Sequence, residues 1–160
     1  MADITIRDVV DCELGFADAA RCYVWANISA PDLRWLDHVE ETTGMKLRDV
    51  FNGSTFAHVV IGGTGVPIGL FGILPGNHEA EGKVWVVGTK AFSRHADAIG
   101  AKARTVFDGL LEHRYASLWN TFASDRPRIV RFLKEAGFSR VSVIPSLPGK
   151  CVQLYARFSA

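Results

Sequence analysis

From Val50 to His78 the chain runs twenty-nine residues without an Asp, Glu, Lys or Arg. Such a stretch either crosses a membrane or is buried on both sides inside a folded domain. It is long enough for the first, since a spanning helix needs about 20 apolar residues. Its glycines and prolines decide against that: Gly53, Gly62, Gly63, Gly65, Gly69, Gly72, Gly76, Pro67 and Pro75 all fall within it. In a helix interior each glycine costs about 1 kcal/mol and each proline about 3. The stretch therefore predicts two strands, Thr55 to Ile61 and Val66 to Leu74, joined as an antiparallel hairpin by Gly62-Gly63-Thr64-Gly65. No membrane span is expected.

The residues on either side supply the rest of an α/β domain. Ile4 to Val9 alternates as an opening strand. Asp11 is placed to cap a helix over Glu13 to Asn27, with Phe16, Ala20, Tyr23 and Val24 inward. Pro31 starts a second helix that Gly44 stops. After the hairpin come a turn over Asn77 to Gly82 and a strand over Lys83 to Thr89. Ser93 then opens a long helix, its face built from Ile99, Ala103, Val106, Phe107, Leu110 and Leu111, ending near Arg114. Tyr115 to Ala123 is a strand, and Asp125 caps a short helix with Pro127 in its first turn and Gly137 at its end. Strands over Phe138 to Ile144 and Val152 to Phe158, around Pro145-Ser146-Leu147-Pro148-Gly149, close the chain. The order β-α-α-β-β-β-α-β-α-β-β has no linker or repeat, so residues 1–160 read as one domain.

Charge and cysteine content narrow the function classes. Eighteen Lys and Arg oppose seventeen Asp and Glu, giving a net charge of +1, which argues against a dedicated nucleic-acid binder. Cys12, Cys22 and Cys151 form an odd set without C-x-x-C spacing and read as free buried thiols of a reducing compartment. The N-terminus lacks a basic region followed by an apolar one, so a cytoplasmic protein is expected. His38, His58, His78, His95 and His113 form no H-x-x-H or Cys/His cluster, and no metal is expected. Gly62-Gly63-Thr64-Gly65 lacks the Gly-Lys-Ser/Thr and the following helix of a phosphate loop, which leaves it a hairpin turn. Trp25, Trp35, Trp85 and Trp119 all stand at apolar positions expected in the core.

The segment from Trp85 to Phe138 carries the chemistry. Val84-Trp85-Val86-Val87 runs into a helix whose first turns hold Ser93, Arg94 and His95. The free N–H groups and dipole of a helix start favour an anion, and Lys90, Arg94, Lys102 and Arg104 add positive charge. Strand, anion-ready helix, strand, then a short helix ending Phe132-Leu133-Lys134-Glu135-Ala136-Gly137-Phe138 resembles the GNAT superfamily of acyl-CoA-dependent N-acyltransferases. The resemblance covers nearly the whole chain. It implies a mixed, mostly antiparallel sheet of about seven strands flanked by four helices. It also implies that the pantetheine arm of acetyl-CoA inserts where the fourth strand splays from the fifth, with the pyrophosphate at the turn before the long helix.

Carried onto this chain, the cofactor-binding positions are Val86, Val87, Lys90, Arg94, His95 and Gly100, the last closing His95-Ala96-Asp97-Ala98-Ile99-Gly100. That hexapeptide keeps only the final glycine of the family's Gln/Arg-x-x-Gly-x-Gly/Ala motif, and Leu133 stands where a proton-donating tyrosine often lies. A main-chain N–H near Val87 would polarise the thioester carbonyl. Base candidates are His58, His78 and Glu79, and Asn120 would orient substrate or cofactor.

A narrower resemblance rests on Leu118-Trp119-Asn120, Ile129-x-Arg131-Phe132-Leu133-Lys134-x-x-Gly137, the Trp85-x-Val87 strand and Gln153-Leu154. These resemble the GNAT-like internal-virion or morphogenesis proteins of short-tailed phages. Two function classes follow: an N-acetyltransferase with acetyl-CoA and an amine acceptor, or a non-catalytic virion-assembly protein whose partner is a phage structural protein.

Overall fold

A computed structural model describes residues 3–123, 125–145 and 151–160. Seven strands form one sheet in the order β1-β2-β3-β4-β5-β7-β6. They are β1 Thr5–Asp8, β2 Phe56–Ile61, β3 Pro67–Pro75, β4 Glu81–Gly88, β5 Ser117–Ala123, β6 Ser139–Pro145 and β7 Cys151–Phe158. The helices are α1 Phe16–Ala26, α2 Ala30–Thr43, α3 Leu47–Gly53, α4 Lys90–Arg94, α5 Ala96–His113 and α6 Pro127–Glu135. The β4–β5 pair is parallel, while β1–β2, β2–β3, β5–β7 and β6–β7 are antiparallel. Two compact units are described in turn, Met1–Leu74 with Trp85–His95, and Pro75–Val84 with Ala96–Ala160. β4 changes unit within its length.

In the first unit the uncharged stretch becomes the end of α3 and the strands β2 and β3. Every residue of β2 after Phe56 is buried, as are six consecutive residues of β3. A strand covered on both faces has no position for a charge, which accounts for the composition of the run. Ala57, Val59 and Ile61 share one face of β2 and pack with Leu70, Trp85 and Val87 against Ala20, Val24, Leu36, Leu47, Val50 and Phe51 of the helices. Trp85 lies over Gly72, where a Cβ would come within 2.9 Å of the indole, and its Nε1 donates to Ser54 Oγ at 2.7 Å. The turn Gly62–Gly65 closes with Gly62 N donating to Val66 O at 2.8 Å and Gly65 at a φ of +83°.

Several sequence expectations are corrected here. Asp11 does not cap α1; Asp8 caps a 3-10 turn, Val9–Asp11, and the N-cap of α1 is Gly15. α3 is additional, its Asn52-Gly53-Ser54 end having the composition of a turn. The long helix does not start at Ser93: His95, at φ −121° and ψ 19°, separates a short α4 from α5. With these two the described residues hold six α-helices rather than four. Tyr23 and Trp25, expected inward, are 44% and 49% exposed because α1 buries only its Ala20–Val24 face. Cys22 is exposed and Cys12 half-buried, its Sγ donating to Asp8 O, so neither is a core thiol. The side chain of Cys151 and the turn over 146–150 lie outside the described residues.

The second unit is built from β5, β7 and β6 with α5 and α6. Phe107 of α5 meets Phe132 and Phe138 edge-on, with ring centroids 6.4 and 5.1 Å apart. Arg126 is the N-cap of α6, not Asp125, and it is 1% exposed. Gly137, at a φ of +93°, follows the helix as predicted.

Candidate active site

In the first unit the sequence-predicted positions Val86, Val87, Lys90, Arg94 and His95 lie where β4 ends. Val86 and Val87 are wholly buried, so only their main chain can serve a ligand. The following residue, Gly88, has both of its backbone groups engaged by the corner between α1 and α2. Its N–H donates to Asp32 Oδ2 at 2.7 Å, and its carbonyl accepts from Ser29 N at 3.0 Å. Ile28 bridges Thr89, and Thr89 donates through both N and Oγ1 to Ile68 O. Asp32 sits in the first turn of α2 and is 3% exposed, which makes it a buried carboxylate aimed at a strand end. The sequence reading missed it, because an acidic residue after Pro31 looks like an ordinary partner of the helix dipole.

Phe92 seats α4 beside this strand end. A Cβ on Gly69 or Gly88 would fall 2.4 or 2.5 Å from the Phe92 side chain, so both glycines make room for the ring. Lys90, Arg94 and His95 are left exposed on the short helix and its end. They form a basic segment directly after β4, in the order the sequence predicts. A cleft of about 430 Å³ opens beside it, with Tyr23, Asn27, Ile28, Thr89 and Lys90 among its walls.

His58 lies elsewhere in the same unit. On β2 it is registered between Asp8 and Phe71, stacked on the Phe71 ring at 4.9 Å with its Nε2 3.7 Å from Asp8 Oδ2. It is 6% exposed, and its Nδ1 is buried without a hydrogen-bond partner. Burial pushes its pKa below the ordinary 6.5, opposed by the charges of Asp8 and Asp11. The imidazole is therefore held neutral, the protonation state of a base.

The same burial fixes a pH dependence. The unfolded chain takes up this proton more readily than the folded one, so stability is full above the ordinary value of 6.5 and is lost as the pH falls below it. Thermal melts at pH about 7.5 and about 5.5 should show a larger acid-induced drop for the native chain than for His58→Gln. Equal drops would contradict the assignment.

In the second unit, β4 and β5 pair over only three positions, Glu81↔Ser117, Gly82↔Leu118 and Lys83↔Trp119. Trp119 Nε1 donates to Glu81 Oε1 at 2.7 Å, and Lys83 Nζ lies 5.4 Å from the Trp119 ring. Where this ladder stops, Asn120 takes over with its side chain. Its Nδ2 donates to Val84 O at 2.8 Å while its Oδ1 accepts from Thr121 N at 2.8 Å. Both ends of the amide are thus committed to backbone. Asn120 ties the backbone of β5 to Val84, rather than holding its side chain out to a ligand.

His78 and Glu79 are exposed in the turn before β4, and the Glu79 carbonyl accepts from Arg114 Nη1 at 2.8 Å. Glu79 lies five positions before Val84 along the chain, with Glu81 to Lys83 of β4 between them, a reach of roughly 16 Å if extended. The structure therefore does not bring His78 and Glu79 to Asn120. Gly100 is likewise not at a turn: it is inside α5, where a Cβ would fall 2.4 Å from Phe132 O of α6. Asp97, in the first turn of α5, pairs with Arg131 of α6. Leu133 is wholly buried and has no proton to give. Among the described residues no three His, Cys, Asp or Glu side chains form a metal site, and no helix is long and apolar enough to cross a membrane.

No protein-family model and no curated protein matches the sequence. Solved structures do match the fold. One provisionally assigned as a phosphinothricin N-acetyltransferase superposes with a TM-score of 0.61 at 13% identity, over 99% of each chain. A GNAT-family acetyltransferase from Bacillus anthracis gives 0.61 at 17% identity, over 99% of this chain and 97% of that one. Spermidine N-acetyltransferase from Vibrio cholerae, solved with CoA and spermine, gives 0.57 at 12% identity, over 98% and 95%. The chain has the fold of the GNAT acetyltransferases.

Proposed function

We propose that this chain is an acyl-CoA-dependent N-acyltransferase that moves an acetyl group directly from acetyl-CoA to an amine. The observation that carries the reading is the fold likeness to N-acetyltransferases over almost the entire chain. In this reading the main chain of Val86 and Val87 receives the thioester, its carbonyl polarised by an N–H near Val87. Gly88 N–H is already engaged by Asp32, which holds the strand end still while the ligand is bound. Lys90, Arg94 and His95 supply the charge that meets the pyrophosphate.

The chemistry is a single displacement. A neutral amine attacks the thioester carbon, a C–N bond forms, the C–S bond breaks, and CoA leaves as a thiolate. Positioning and carbonyl polarisation carry much of such a rate. With Leu133 at the family's tyrosine position, the thiolate takes its proton from solvent or from the amine nitrogen, which becomes cationic once its C–N bond has formed and must lose one proton to give the amide. His58 has the right protonation state for a base but is stacked and buried, so it would act only through a water.

Calorimetric titration with acetyl-CoA tests the proposal. Binding is expected at micromolar to millimolar ligand, weakened about two- to fivefold by Lys90→Ala or Arg94→Ala, as fits exposed single charges. Absence of binding at millimolar acetyl-CoA would favour the second reading, a non-catalytic assembly protein of a short-tailed phage. Three observations favour its non-catalytic part alone: the Asp97–Arg131 pair at the start of α5, the packing role of Gly100, and the buried Leu133.

A further inference from the structure

A second cleft in the first unit lies away from the residues used above. It encloses about 370 Å³ between α1, α2 and α3, within the range of small-molecule sites. Its walls join an aromatic and aliphatic surface, Trp25, Leu36 and Leu47, to the cations Arg21, Lys46 and Arg48. Trp25 is 49% exposed although a tryptophan on a helix ordinarily covers its ring.

Arg21 is the unusual member. Its side chain is only 18% exposed, and its Nε is buried with no hydrogen-bond partner. The nearest carboxylate, Asp18 on the same helix, is 3.8 Å from Nη2, too far for a hydrogen bond, and is itself 73% exposed. A buried guanidinium donor without an acceptor is costly. Its side chain lines the cleft together with Arg48. Of the two acidic residues there, Glu40 is drawn to Lys46 at 4.0 Å, leaving Arg21 and Arg48 against Asp37. The surplus is positive.

We infer that this cleft binds a small organic carboxylate with an aromatic or aliphatic body, the carboxylate on the Arg21 fork and the body on Trp25. Planar bidentate pairing with carboxylate is what guanidinium does best, and an aromatic wall supplies the remaining contact area. The inference is independent of the acyltransferase reading, since it uses none of the same residues.

Phenylacetate and phenethylamine, similar in shape and opposite in charge, are the probes. Phenylacetate should saturate the protein at millimolar concentrations and shift the Arg21 Nε–H resonance, while phenethylamine leaves it unmoved. Arg21→Gln should weaken phenylacetate at least about tenfold, the worth of a hydrogen bond to a charged group. Trp25→Ala should weaken it as well. Equal binding of the amine, unchanged affinity in Arg21→Gln, or no saturation by phenylacetate would each overturn the inference. The resonance shift is read on the native chain, so the test stands even where a variant folds poorly.

Discussion

Gly100→Ala is expected to destabilise the protein by about 3 kcal/mol, the upper end of what one added methylene costs in a packed interior. The added carbon would sit 2.4 Å from the Phe132 carbonyl oxygen and 2.9 Å from Glu135 Cβ. The first of these is main chain and cannot rotate aside, so α5 and α6 must move apart. That separation loosens Ile99, Ala103 and Phe107 against Ile129 and Phe132, all 2% exposed or less. Arg94→Ala, at an exposed position before α5, should fall within about 0.5 kcal/mol of the native chain. Urea unfolding of both variants separates packing from ligand binding. A neutral Gly100→Ala that lost only acetyl-CoA affinity would return this glycine to the phosphate turn expected from sequence.

Asp32→Ala should be nearly as damaging, by about 2–3 kcal/mol, because it strands the buried Gly88 N–H that the carboxylate now accepts. Asp32→Asn keeps an oxygen at the same place and should recover more than half of the loss. The local signature is amide exchange: Gly88 N–H should exchange faster in the alanine variant than β2 amides such as Val59, if the damage begins at the strand end. The acyltransferase reading adds a functional consequence. A strand end that is no longer tied to the α1–α2 corner presents Val87 and Lys90 less well, so acetyl-CoA affinity should fall with Asp32→Ala and stay close to native with Asp32→Asn.

Strands and stops were the legible part of this sequence. The uncharged run with its glycines and prolines admits only buried strands, and β2 and β3 lie within a residue of the predicted limits at each end. Gly44 and Gly137 end their helices because a positive φ, +75° and +93°, is what a glycine there supplies. Caps were less legible. Asp11 and Asp125 are suitable cap residues by type, yet the chain caps with Gly15 and Arg126, since a cap is fixed by where the preceding loop emerges. The break at His95 was invisible because α4 and α5 continue one apolar spacing through Phe92, Ala96 and Ile99, all buried.

For the site, sequence could place residues along the chain but not their commitments. Lys90, Arg94 and His95 follow β4 in a basic segment as expected. Asn120 looked available and is bound at both ends of its amide; Asp32 looked like a surface acid and is buried on Gly88. These are tertiary hydrogen bonds between residues 36 and 56 positions apart, and no local pattern encodes them.

The central claim is that the end of β4 is built to hold acyl-CoA, and amide chemical shifts test it on the intact chain. With the protein labelled at nitrogen, acetyl-CoA is added stepwise and the amides are followed. Saturable shifts confined to Val86, Val87 and residues 89–95 are the expected result, larger for acetyl-CoA than for the same concentration of AMP. Unmoved amides along this segment at millimolar acetyl-CoA would contradict the claim.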